Sequence, residues 1–171
     1  MKKILTITVL LSFVINSFAQ KIIQDGIKNN VRMTMTENMN FKIKKGVVQY
    51  RLCRFATPEK KEFVLIFTYQ ETEKPNNFPN QAKLTISTKS GQEIELTCLT
   101  SYVEDNYPVG MFPVSQEELD LLKGGTKKLA FELYVMEKQT GQIYRETREY
   151  KSDIGATLKK MEKKINKQSY L

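Results

Sequence analysis

The feature that most constrains this chain is an apolar–polar alternation with a period of two, repeated in segment after segment. A strand points successive side chains to opposite faces, so this alternation specifies strands with one buried face. Val31, Met33 and Met35 alternate with polar partners, and Met39, Phe41 and Ile43 do the same after Thr36-Glu37-Asn38. A three-residue loop there pairs Met35 with Met39, Met33 with Phe41 and Val31 with Ile43, and gives Asn38 the left-handed position. Lys45-Gly46 then reads as a tight turn that pairs Ile43 with Val48, Phe41 with Tyr50 and Met39 with Leu52. Two turns thus place one apolar face across three strands. A one-residue slip would turn every one of those side chains over.

Phe63 to Tyr69 is apolar on both faces and reads as a central strand covered on two sides. Gln70 to Asn80 is a polar loop with Pro75 and Pro79. A Lys89-Ser90-Gly91 loop pairs Ile86 with Ile94 and Leu84 with Leu96, with Gly91 left-handed. Ser101 to Val114 reads as an irregular loop, because Pro108, Gly110 and Pro113 interrupt it. Ser115 and Glu118 form a capping box for a short helix over 115–123, with Leu119 and Leu122 inward and Gly124-Gly125 ending it. Leu129, Phe131, Leu133 and Val135 mark a long strand. Gln139-Thr140-Gly141 turns it into a last strand, about Ile143 to Tyr150, with Glu132 opposite Arg148. Ile154, Leu158, Met161 and Ile165 form one narrow apolar stripe on a helix over 153–168. Lys159, Lys160, Lys163, Lys164 and Lys167 lie opposite, as the solvated face of a helix docked on the sheet. The fold class is all-β to α+β: an antiparallel, meander-rich, curved sheet of roughly eight strands, a sandwich or partial barrel, with both helices packed on it.

The amino terminus reads differently. Met1-Lys2-Lys3 is a short positive segment, Ile4 to Ile15 is apolar, and Ser17 and Ala19 are the small residues a signal peptidase inspects. Residues 1–19 are therefore expected to be a cleavable signal peptide, and 20–171 a single β-rich domain. The apolar run is shorter than the ~20 residues a spanning helix needs, so no transmembrane segment is expected after cleavage. The expected location is periplasmic or secreted. Without Lys2 and Lys3 the 27 basic residues become 25 against 19 acidic, a balance of +6. That balance favours an anionic surface, a glycan or an acidic protein as partner. Nucleic acid is not expected, since the lysines do not interleave with aromatics along a face. Cys53 and Cys98 are a candidate disulfide in an oxidising compartment. Cys98 shares the inward face of Ile94 and Leu96, whereas Cys53 shares its face with Gln49 and Arg51.

Histidine is absent. This excludes His-dependent serine and cysteine nucleophiles and His-ligated zinc. No phosphate-binding loop, dinucleotide fingerprint or nucleophile elbow occurs, and no cofactor or metal is expected. Glu71/Glu73 and Glu104/Asp105 are the carboxylate pairs a hydrolase could draw on, and both read as solvated loop groups. No catalytic residue is assigned. The candidate binding loop is Tyr102, Tyr107, Met111 and Phe112, with Phe78 as a second loop aromatic. The expected function is an exported binding or interaction module without catalysis. The alternatives are a carrier of a small apolar ligand in a curved-sheet cavity and a carboxylate-dependent hydrolase.

From Leu84 onward the parts follow a particular order. A strand runs through a Ser90-Gly91 turn into Gln92-Glu93-Ile94-Glu95-Leu96. An aromatic segment, Phe112-Pro113-Val114-Ser115-Gln116-Glu117-Glu118-Leu119, Lys128-Leu129-Ala130-Phe131 and a lysine-rich helix follow. This order resembles small secreted proteins of Bacteroidetes bacteria, and the Ala19-Gln20 junction fits that source. The resemblance spans about half the chain. It implies export and carries no active site.

Overall fold

The computed structural model describes residues 25–28, 30–71, 76–79, 81–136 and 140–167. The signal peptide at 1–19, Glu73, Gln139 and the expected helix end at 168 lie outside the described residues. The strands are β1 (Asp25–Lys28), β2 (Val31–Met35), β3 (Met39–Ile43), β4 (Gly46–Ala56), β5 (Lys61–Glu71), β6 (Asn76–Asn77), β7 (Lys83–Thr88) and β8 (Glu93–Thr97). They continue as β9 (Thr100–Glu104), β10 (Tyr107–Val114), β11 (Thr126–Met136) and β12 (Ile143–Lys151). Two helices are described, α1 (Gln116–Lys123) and α2 (Gly155–Asn166).

The strands form two antiparallel sheets. One runs β1-β2-β4-β5-β10-β9, with β3 also on β4, and is curled as a half-barrel. The other runs β12-β11-β7-β8, with β6 also on β11. Val48, Tyr50 and Leu52 of β4 and Phe63, Leu65, Phe67 and Tyr69 of β5 point toward Leu84, Ile86, Leu129, Phe131 and Leu133 of the second sheet. Phe67 meets Phe131 edge-on at 5.2 Å between ring centroids. The stripe Ile154, Leu158, Met161 and Ile165 joins this core, so α2 docks by its apolar face as its spacing requires. Its lysines stay exposed.

The local readings that hold are those set by neighbouring residues. Ile86 pairs with Ile94 and Leu84 with Leu96, the register expected from the Gly91 turn. The Ser115 hydroxyl accepts from the Glu118 N–H at 3.2 Å, and the Ser115 N–H donates to Glu118 Oε2 at 2.8 Å. β5 lies between β4 and β10 and is buried on both faces.

Other readings are corrected. β2 and β3 do not form a hairpin. They lie end to end on β4, Met35 opposite Cys53 and Met39 opposite Tyr50. One long strand offers more ladder bonds than a three-residue loop between two short ones. The following turn is Lys44-Lys45, with Ile43 opposite Gly46 and Phe41 opposite Val48. Gly46 must be glycine, because a Cβ there would sit 1.9 Å from the Gln70 carbonyl oxygen. Ser101 to Val114 is no loop but the hairpin of β9 and β10, turned at Asp105-Asn106, both at positive φ. Its prolines are tolerated because Pro108 pairs with β9 alone and Pro113 with β5 alone. Phe131, not Glu132, lies opposite Arg148. Glu132 instead accepts from Arg145 at 3.0 Å. Cys53 and Cys98 form no disulfide. Both are buried free thiols, Cys98 between β8 and β9 in the inter-sheet core and Cys53 on the far face of the half-barrel sheet.

Candidate functional site

Alternation along β4, β5 and β10 sends one set of side chains between the sheets and the other set to the opposite face. That second set is also apolar. Met33 and Met35 of β2, Cys53 and Phe55 of β4, Val64 and Ile66 of β5, and Val109 and Met111 of β10 form a separate buried cluster. Every member belongs to the same sheet. Burial pushes the Cys53 thiol up to about 12, so it stays neutral and behaves as a small apolar side chain.

One end of this face opens into a pocket of about 450 Å³. Its origin lies in strand lengths. β9 begins at Thr100, opposite Met111, so β10 has no β9 partner from Phe112 to Val114. The Leu99 N–H donates to the Met111 carbonyl at 2.8 Å, and beyond it the pocket begins. Pro113 falls there and has no N–H to leave unsatisfied. Phe55, Val64, Leu99, Met111 and Pro113 supply apolar wall. Leu99 is 44% exposed, an apolar side chain held at an opening.

Six of the thirteen lining residues, Lys60, Lys61, Glu62, Ser115, Gln116 and Glu118, are polar, and most of them are engaged. The Lys60 ammonium pairs with Glu62. The Glu118 carboxylate is held by the Ser115 N–H at the start of α1, where the helix dipole offsets its charge. Exposed Lys61, paired through its backbone with Ala56 of β4, lines the same pocket, and its side chain makes no ion pair or hydrogen bond among the described residues. A pocket of this size, with an apolar wall on one side and polar groups from the start of β5 and the start of α1 on the other, has dimensions a small molecule could occupy.

A polar group also borders the apolar face farther along. Arg51 of β4 reaches toward Tyr102 and Glu104 of β9 across the two strands between them. The Tyr102 hydroxyl and Glu104 Oε1 are buried without a hydrogen-bond partner among the described residues. Burial pushes both groups up in pKa, and the Arg51 charge opposes the rise. A third cluster closes the edge between the sheets. Arg148 donates to Glu71 and, at 2.9 Å, to Glu146, beside the hydrogen-bonded hydroxyls of Tyr69 and Tyr150. No group of three or more Cys, Asp or Glu among the described residues is placed to hold a metal ion.

The four aromatics and one methionine expected as candidate binding residues, Phe78 among them from a second loop, are not all brought together. Phe78 and Phe112 lie in the inter-sheet core, 5.7 Å apart and edge-on. Gly110 leaves the room they occupy, since a Cβ there would lie 3.0 Å from Phe78. Tyr102 packs half-buried on the opposite face, and Tyr107 sits half-buried at the start of β10. Of the five, Met111 lines the pocket. Phe55, Val64, Leu99, Pro113 and Lys61 were not singled out by sequence reasoning. The available signal was the double-sided apolar run of β5, which requires a second apolar face. No protein family, no curated protein and no solved structure matches this chain.

Proposed function

We propose that this protein is an exported, non-catalytic binding module that holds an apolar ligand in the pocket beside Leu99. The observation that carries this reading is an open space of about 450 Å³ walled by Phe55, Val64, Leu99, Met111 and Pro113. That size falls within the range of small-ligand sites. The space between the sheets is a poor alternative for a ligand. Phe67, Phe78, Phe112 and Phe131 fill it with ring contacts of 5.2 to 6.3 Å. The carboxylates lining the pocket are committed, Glu62 to Lys60 and Glu118 to the helix cap. Export rests on the charged, apolar and small-residue pattern of residues 1–19 and on the resemblance to secreted Bacteroidetes proteins.

Native mass spectrometry of protein recovered from a periplasm tests this reading. The native mass is expected to exceed the denatured mass by a small-molecule increment, and Leu99→Glu is expected to abolish the increment. A bare-chain mass, together with no binding of any apolar probe, would overturn it. A second reading concerns Lys159, Lys160 and Lys163 of α2 and Lys167 at its C-cap, all exposed. They favour an anionic glycan or surface as partner. Retention on a sulfated-glycan column, lost when these lysines become glutamine, would support it.

A further inference from the structure

We infer that this protein pairs with a second copy of itself along β12, edge to edge, in the antiparallel register that sets Thr147 opposite its own counterpart. The pairing is independent of the pocket. Three observations carry it. First, β12 is an open edge. It ends the sheet β12-β11-β7-β8, pairs with β11 on one side and has no strand on the other among the described residues. It is nine residues long, and none of them is fully buried. The outward backbone N–H and C=O groups of such an edge are a template for another strand. At its start Ile143 and Tyr144 leave large apolar side chains exposed, beside exposed Met136 of β11.

Second, the strand is complementary to its own reverse. In Tyr144-Arg145-Glu146-Thr147-Arg148-Glu149-Tyr150, reversal sets every charge against one of the other sign. With Thr147 facing Thr147, Arg145 meets Glu149, Glu146 meets Arg148 and Tyr144 meets Tyr150. A two-fold axis makes each of these pairs occur twice. Opposite charges and aromatic rings facing one another across strands are both favourable. A shift of two residues either way sets Glu146 or Arg148 against its own copy, so the charges also fix the register. The two faces keep apart: Arg148 and Tyr150 turn toward Glu71 and Tyr69 of the half-barrel sheet, and Arg145 and Glu149 lie on the other face with Glu132 and Lys128 of β11. Arg145 and Glu149 are exposed in those pairs, so each can take a second partner.

Third, the other edges lack this property. β8 has five residues, and its centred register sets Glu95 against Glu95. β9 and β3 carry one charge each, and β1 has four residues.

Sedimentation equilibrium of protein recovered from a periplasm tests the pairing. A dimer is expected. Arg145→Glu and Glu149→Arg are each expected to weaken it about ten-fold or more, because like charges then meet twice. An equal mixture of the two variants is expected to recover a one-to-one heterodimer, since one copy then presents two negative positions and the other two positive. That recovery requires both variants to be folded. Thr147→Cys, at an exposed position, is expected to be joined to its own copy by a short bis-maleimide far more readily than Arg145→Cys. A chain that stays monomeric up to about 1 mM, or a dimer that neither charge reversal weakens, overturns the pairing. So does a mixture that forms no heterodimer, or equal cross-linking of Thr147→Cys and Arg145→Cys.

Discussion

The two faces of the half-barrel sheet are built from the same strands, yet they differ in kind. The inner face carries rings: Tyr50 stacks on Phe67, and Phe67, Tyr69 and Phe112 meet Phe131, Tyr150 and Phe78. The outer face carries Met33, Met35, Cys53, Val64, Ile66, Val109 and Met111, with Phe55 and half-buried Tyr102 as rings. Rings in edge-on contact have few alternative arrangements, whereas methionine is unbranched and adapts to what covers it. The inner face is thus a locked structural core. The outer one is a softer surface that ends in an open pocket. A central strand apolar on both sides supports two packed faces at once, and the second face ends at the pocket.

The comparison can be broken by substitution. Phe131 is fully buried with four rings within 6.3 Å, so Phe131→Ala is expected to cost about 3–5 kcal/mol in urea denaturation. Met111→Ala on the other face is expected to cost about 2 kcal/mol, the lower end for such a truncation, because the pocket beside it leaves Met111 fewer packed neighbours to lose. Equal losses would erase the distinction between a locked and a soft face.

The cysteines sharpen it, since one thiol reports on each face. Both are buried and unpaired, and burial raises the pKa of both. Pulsed alkylation is expected to modify neither quickly in the native protein, and to reach Cys53 about ten-fold sooner than Cys98, equivalent to ~1.4 kcal/mol easier opening of the outer face. Faster labelling of Cys98 would reverse the ranking. An intact mass lower by two hydrogens would instead restore the disulfide.

The smallest effect concerns the junction that joins α2 to the inner core. Asp153 pairs with Lys89 and accepts from the Thr126 N–H at 3.1 Å and the Gly155 N–H at 3.0 Å. Lys89 first, then these N–H groups, hold its carboxyl below the ordinary value. A depressed carboxylate contributes stability above its unfolded pKa, and that contribution is lost as pH falls through the folded value. Asp153→Asn is therefore expected to be less stable at neutral pH, with the difference closing below about pH 4. A constant difference across that range would remove Asp153 from the acid response.

Part of this fold was legible in the residues. The β7–β8 register follows from Gly91 and four apolar side chains, and the start of α1 from Ser115 and Glu118, because all the determinants lie within a few residues. The docking of α2 was legible because Ile154, Leu158, Met161 and Ile165 form one stripe. Less was legible at 101–114, where Pro108 and Pro113 look like strand breakers until each is seen beside a single neighbour. The pocket was least legible. It depends on β9 stopping one residue short of Phe112, and on Leu99 and Lys61, distant in sequence, lining one opening.

Sequence by itself determined the class: strand alternation gave antiparallel β structure, and a helical stripe gave its terminal cover. It also determined that β5 would be buried twice over, since Phe63 to Tyr69 offers water no polar face. Tertiary structure alone decided which strand lies beside which. β2 and β3 share β4 rather than pairing with each other, and Cys98 falls between the sheets while Cys53 falls on the far face of the half-barrel sheet. The physical reason is range. Alternation and capping act between near neighbours, while strand order and the site at the end of β10 depend on the summed packing of segments far apart in the chain.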